Sequence, residues 1–285
     1  LYVEPTEPED DGSLAEAVEQ AGNVVLGEQL IEKRESGESE HSAWLNLVPE
    51  IKNAAAGSGH VHVPTEHDGT ARELILRIAD DEGNSRWALA IETIRVGDRL
   101  EEEELNETDR FVRIGGRRLP FISSETNFPL NLNGTGERLT ILSPLRMTID
   151  YIGPTGSFSP QTYSFADVLD GRVSPERFRG KYVLIGATAA TLGDRIATPF
   201  VHAENDSGNQ NGELMPGVEI LANSINTILR ERFYQPVSDW TAGFCAALVA
   251  AAVLLLIRLA EGRFEAAKQL VSLAGFGALI LTGSF

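Results

Sequence analysis

Lys181-Tyr-Val-Leu-Ile-Gly-Ala-Thr-Ala-Ala-Thr-Leu-Gly-Asp194 is the stretch that decides how this chain of 285 residues is read. Lys181 to Gly186 is a short apolar run of strand length, and Ala187 to Asp194 is a loop of small residues. From Pro216 to Phe233 apolar residues recur at helical spacing, with Val218, Leu221, Ala222, Ile225 and Leu229 on the face expected to be buried. A strand whose carboxyl end feeds a loop and then a helix belongs to layered α/β domains. The expected fold class is α/β: a layered sheet with flanking helices, followed by carboxyl-terminal transmembrane helices.

Upstream, Ser13 and Glu16 form a capping-box pattern before a short helix that Gly22 ends, and Asn23 to Gly27 reads as a strand. Glu32 to His41 is a charged solvent loop. Trp44, Leu45, Val48 and Ile51 suggest a second helix, with Pro49 tolerated in a first turn. His60 to Val63 and Arg72 to Ile78 read as a hairpin around the turn His67-Asp68-Gly69. Trp87, Ala90, Ile91 and Ile94 place a helix over Ser85 to Val96. Strands are expected at Phe111 to Ile114, Leu139 to Leu142 and Met147 to Ile152, with turns such as Asn131 to Gly136 between them. Glu101 to Glu104 is a solvated face.

Beyond Trp240 the chemistry changes. Trp240 to Ile257 carries one polar side chain, Thr241, and the run continues through Arg258 to Leu259, about the 20 residues that cross a hydrocarbon core. Trp240 stands where an interfacial aromatic belongs. A second apolar run opens at Leu270 and continues to Phe285. The connector between the two holds Arg258, Arg263 and Lys268, whose charges mark the cytoplasmic side. Residues 1–237 are therefore expected outside, 238–259 as a crossing, 260–269 as a cytoplasmic connector and 270–285 as the start of a second crossing. Both ends of the sequence read as cuts in a longer protein.

The net charge is −18, and all but three of the 24 basic and two of the 42 acidic side chains lie in residues 1–239. Such a surface repels polyanions, which argues against nucleic-acid binding. The one cysteine, Cys245, lies in the apolar run, so the acidic part has no disulfide framework. Gly180-Lys181-Tyr182 lacks the hydroxyl residue and the upstream glycine of a phosphate loop, and the glycines from Gly186 to Gly193 are wrongly spaced for a dinucleotide turn. His60 and His62 share a strand face, with His67 and Asp68 nearby, and a zinc pair is weighed there against structural histidines. No zinc-peptidase helix, paired-cysteine spacing or nucleophile elbow is present, so no cofactor, metal or catalytic residue is assigned.

One loop does combine chemistry with exposure. Asp194, followed by Arg195, Thr198 and Pro199, can offer a carboxylate and a hydroxyl, or cap backbone amides. Glu219 and Asn223 lie one turn apart on the next helix, facing the same cleft or water. The ligand-binding or hinge candidates are Gly186, Thr188, Gly193, Asp194, Thr198, Pro199, Glu219 and Asn223.

Several segments, in order, resemble the type-2 CHASE domain. These are Tyr163-Ser-Phe-Ala-Asp-Val-Leu-Asp-Gly171, Phe178-Arg-Gly-Lys-Tyr-Val-Leu-Ile-Gly-Ala-Thr188, Leu192-Gly-Asp194 with Thr198-Pro199, and Met215-Pro-Gly-Val-Glu-Ile220 with Ala222-Asn223. Gly22-Asn-Val-Val-Leu-Gly27, Gly59-His60 and Asp68-Gly69 extend the likeness over residues 1–237. Two departures stand out: the family's opening strand and helix are absent, and His202 to Glu213 is a polar insertion, read as a flap. The resemblance implies an extracellular sensor ahead of a cyclase, diguanylate cyclase, histidine kinase or protein kinase, not an enzyme in itself. Expected partners are an extracytoplasmic signal, the lipid bilayer and a second copy as homodimer, in a multi-pass bacterial membrane protein. The alternatives are a ligand-free structural or dimerisation module and, behind it, a membrane-tethered metal-dependent hydrolase using Asp194 and Glu219.

Overall fold

Glu9, Asp10 and Asp11 occupy the first turn of α1 (Pro8–Ala21), where the exposed N–H groups of a helix favour negative charge. The helix therefore starts earlier than the capping-box pattern predicts. Ser13 lies inside it, its Oγ donating to the Glu9 carbonyl at 2.8 Å. The stop at Gly22 is as expected: with φ 66° its N–H reaches the Val18 carbonyl at 3.1 Å. The structure, a computed structural model, describes residues 8–33, 41–45, 47–80, 82–123, 128–131, 138–141, 145–189, 191, 194–201, 214–234 and 239–260. The chain divides into two units, Leu1–Gln235 and Pro236–Phe285.

In the first unit, β1 (Val25–Glu28) is followed by β2 (Leu30–Lys33) and β3 (His41–Trp44), an antiparallel pair with Leu30 opposite Trp44. Trp44 thus belongs to a strand, not to the predicted helix. That helix is α2 (Pro49–Ala54), which begins at the proline because the missing N–H is not needed in a first turn. It carries the chain across to β4 (Gly57–His60), parallel to β1 with Glu28 beside His60. The expected hairpin of His60–Val63 with Arg72–Ile78 does not form, because β4 takes β1 as its partner.

The turn at His67 and Asp68 leads instead into β5 (Glu73–Ala79), which pairs with β6 (Ser85–Trp87) ahead of α3 (Leu89–Gly97). A bridge from His60 to Ala88 and the bond from Ala88 N–H to the Leu76 carbonyl at 2.8 Å link β4 to β5 through this corner. A meander follows, β7 (Leu105–Glu107), β8 (Phe111–Ile114) and β9 (Arg117–Pro120). Then come β10 (Ile122–Ser123), the pair β11 (Phe128–Asn131) and β12 (Arg138–Ile141), and β13 (Leu145–Thr148). The four-stranded sheet runs β10-β13-β5-β6. The rest of the first unit holds α4 (Phe165–Leu169), β14 (Arg195–Ile196), β15 (Met215–Pro216) and α5 (Gly217–Leu229). This is a mixed α/β architecture of several small sheets and helices.

The main core draws Leu76, Ile91, Ile114, Leu119, Ile220 and Ile228 from β5, α3, β8, β9 and α5, all 0 % exposed. Each such side chain stabilises the fold by about 1.5–3 kcal/mol. The buried face of α5 is rotated from the expected one: Ile220, Asn223, Ser224, Thr227 and Ile228 are buried beside Ile225, while Val218, Leu221, Ala222 and Leu229 are half-buried. Apolar spacing misplaces the face because polar residues lie at its centre.

Lys181 to Gly186 is not a strand, since it pairs with no other strand among the described residues. The alternation is nevertheless that of a strand. Tyr182 and Leu184 turn inward, Leu184 onto the main core, while Val183 and Ile185 are exposed.

In the second unit, α6 (Asp239–Ala260) is a helix of 22 residues. Most of its described apolar side chains are exposed, Trp240 at 91 % and Phe244 at 65 % among them, while Val253 and Ile257 are half-buried. Among the described residues no helix is long and apolar enough to cross a membrane. The crossing expected over 238–259 is thus not supported by the fold alone. The second apolar run, 270–285, the connector beyond Ala260, the insertion 202–213, Gly193, the turns of 132–136 and most of the loop 32–41 lie outside the described residues.

Candidate functional site

The candidate loop and the helix after it are joined by a two-residue ladder. Arg195 of β14 lies opposite Pro216 of β15, and Ile196 opposite Met215. The Arg195 guanidinium extends the joint in both directions, donating to the Leu214 carbonyl at 2.9 Å and to the Thr188 carbonyl at 2.8 Å. The Gly217 N–H donates to the Asp194 carbonyl at 3.1 Å.

Two glycines permit this closeness. A Cβ on Gly217 would stand 2.6 Å from both carboxylate oxygens of Asp194, and a Cβ on Gly186 would stand 2.5 Å from the Val218 Cβ. The Asp194 carboxylate therefore lies against the first turn of α5, where unpaired N–H groups favour an anion. Desolvation at this joint raises its pKa above the ordinary carboxylate value. Thr198 is buried, Pro199 is exposed in a turn, and Thr188 and Gly186 are exposed. The Ala197 carbonyl accepts the Ala71 N–H at 2.8 Å, tying the far end of the loop to the chain entering β5.

Glu219 and Asn223 do not open onto a free cleft. The Ile152 N–H donates to Asn223 Oδ1 at 3.0 Å, and the Gly156 N–H donates to Glu219 Oε1 and Oε2 at 2.9 and 3.1 Å. Thr227, one turn further along, accepts the Asp150 N–H at 2.9 Å. One polar stripe on α5 thus receives the backbone of 150–156, which has no strand to pair with there. Thr227 was missed in the sequence; the i, i+4, i+8 spacing of Glu219, Asn223 and Thr227 is the signal that could have found it.

A second junction also went unread. Tyr182 Oη donates to Asp98 Oδ1 at 2.8 Å, and Arg117 binds the other oxygen of Asp98 at 2.5 Å. The ring lies so close to Gly97 that a Cβ there would stand 2.3 Å from Tyr182 Cε1. Burial, and then the Asp98 carboxylate, push the Tyr182 phenol up to about 12. Partial burial works against Asp98, but the bonds from Arg117 and Tyr182 hold its carboxyl below the ordinary value. The segment before the loop is thereby fixed to the end of α3 and the start of β9.

The histidines part company. His67 lies in an exposed turn, while His60 and His62 are buried with ring centroids 6.1 Å apart. No group of three or more metal-ligating side chains occurs among the described residues.

The family model of the CHASE2 domain matches residues 1–257. No curated protein and no solved structure matches the chain.

Proposed function

The chain belongs to the CHASE2 domain family, extracellular sensors of signalling receptors, and from that membership we propose that it is the sensory region of a bacterial transmembrane receptor. In this reading residues 1–237 lie outside the cytoplasmic membrane. The loop from Gly186 to Pro199 is the ligand-binding or hinge element, and the output domain, a cyclase, diguanylate cyclase or kinase, lies beyond the membrane. In this reading the chain itself has no catalytic role and needs no cofactor.

The observation that carries the proposal is the joint between Asp194 and Gly217. A ligand that engages Asp194 competes with the first turn of α5 for the same carboxylate, so its binding energy differs between the docked and undocked loop. Only such a difference can shift an equilibrium and transmit a signal. The chain then leads from α5, through the nine residues 230–238, into α6. The exposed apolar side chains of α6 support a lipid environment for this helix, with the apolar run from Leu270 as a second crossing. A homodimer, the usual assembly for closed symmetric contacts, would bring two such helices together.

Replacing Asp194 with Ala in the full receptor tests the reading, with output measured across medium conditions. The expected result is output fixed at one level or a changed dependence on condition. Unchanged output and unchanged response would remove Asp194 from the mechanism. A ligand-free structural module is the second reading, favoured by Glu219 and Asn223, whose hydrogen bonds are taken up inside the domain. Constant output of the native receptor across all conditions would select it.

A further inference from the structure

His60, the last residue of β4, is 1 % exposed, and neither ring nitrogen makes a well-formed hydrogen bond; the nearest backbone partner is Ile75. A valine could fill such a place without burying two polar atoms, so the imidazole carries a cost that packing does not explain. His62, two residues on, is also buried, and its Nε2 accepts the Leu30 N–H at 2.7 Å. That bond requires an unprotonated Nε2. Leu30 is fully buried and opens the β2–β3 hairpin, so this one imidazole holds the hairpin to the chain leaving β4.

Among the described residues, the charged groups on the neighbouring elements leave no counter-ion for a histidinium. Glu28 of β1, beside His60 in register, is 0 % exposed and already bound by Lys52 of α2 and by Arg86 of β6, the latter at 2.6 Å. On α3, Glu92 and Arg95 pair with each other at 2.9 Å and face Gly57, at the opposite end of β4. Protonating His62 turns its acceptor into a donor facing the Leu30 N–H, and protonating His60 sets a second cation beside it.

We propose that His60 and His62 form a proton-operated latch, closed while both rings are neutral, which releases the β2–β3 hairpin when the surrounding medium becomes acid. The signal is then the proton itself. Both folded pKa values are lowered, chiefly by burial, that of His62 from 6.5 to about 4. Opening therefore takes up protons, and it becomes progressively easier as pH falls below about 6.5. The physiological direction rests on the sensor reading, but the latch is tested without any receptor output.

The test is amide hydrogen exchange of the full chain in detergent micelles from pH 7.5 to 4, with each rate corrected for intrinsic exchange. The opening constant of the Leu30 amide is expected to rise about tenfold per pH unit for each histidine taking up a proton, so approaching a hundredfold per unit. The Thr227 amide in α5 stays level. In His62→Gln, whose side-chain oxygen accepts without titrating, the rise falls to at most tenfold per unit. A Leu30 opening constant independent of pH, a parallel rise at Thr227, or an undiminished slope in His62→Gln would each overturn the latch. Should the variant fail to fold, NMR titration of the native rings decides: midpoints at or above 6.5 for both overturn it, and depressed midpoints with coincident Leu30 opening support it.

Discussion

Asn223 Oδ1 accepts the backbone N–H of Ile152 at 3.0 Å, from a side chain that is 0 % exposed on α5. A chain segment without a strand partner is satisfied here by a helix side chain. Asn223→Ala leaves that N–H orphaned, and Thr227→Val does the same to Asp150; each is expected to cost about 1–3 kcal/mol in denaturant unfolding. Glu219→Gln, at a half-buried site where the side-chain oxygen still accepts the Gly156 N–H, should stay within about 0.5 kcal/mol. If all three behaved alike, the stripe would not brace the segment.

Gly186 meets the Val218 Cβ, which is fixed to a helix backbone and cannot swing aside. Gly186→Ala should therefore destabilise the first unit by about 1–3 kcal/mol through overpacking. Adding Val218→Ala should return part of that loss, and a double-mutant cycle measures the coupling. Additive effects would mean that the loop does not touch α5 at Gly186.

Burial, and then the hydrogen bond to Asp98, push the Tyr182 phenol from the ordinary 10.0 up to about 12. Its folded pKa lies above the unfolded one, so its contribution to stability is present below pH 10 and is lost as pH rises toward 12. The ultraviolet absorbance titration should show a late tyrosinate phase that Tyr182→Phe removes. Tyr151, half-buried and donating to the Ala71 carbonyl at 2.9 Å, is raised as well, chiefly by desolvation, and ionises later still. A Tyr182→Phe titration identical to that of the native chain would remove the Asp98 bond from the account.

What could be read beforehand follows the physics of pattern. The strand Phe111–Ile114 was legible because Val112 and Ile114 alternate with exposed Arg113, and α5 was legible from its apolar period. Its face was not, because Asn223, Ser224 and Thr227 are buried for their hydrogen bonds, and apolar spacing does not register that. The parallel pairing of β1 with β4 was missed because the intervening hairpin and α2 separate strands that local patterns cannot join. Lys181–Gly186 has strand alternation but no ladder, and a ladder is a property of two segments, not of one. At the candidate site, Asp194 beside Gly217 was foreseeable in kind, while the Tyr182–Asp98 bond spans 84 positions and left no local trace. The family resemblance was legible because it rests on ordered residues and needs no geometry.

The sensor account stands on the side of the membrane that the folded unit occupies. Compartment reporters inserted at Gly171, an exposed turn position with φ 70° and open space around its Cα, test this in cells carrying the full receptor. The account predicts that a reporter active only outside the cytoplasm gives signal and its cytoplasmic counterpart gives none; the reverse pattern would contradict it.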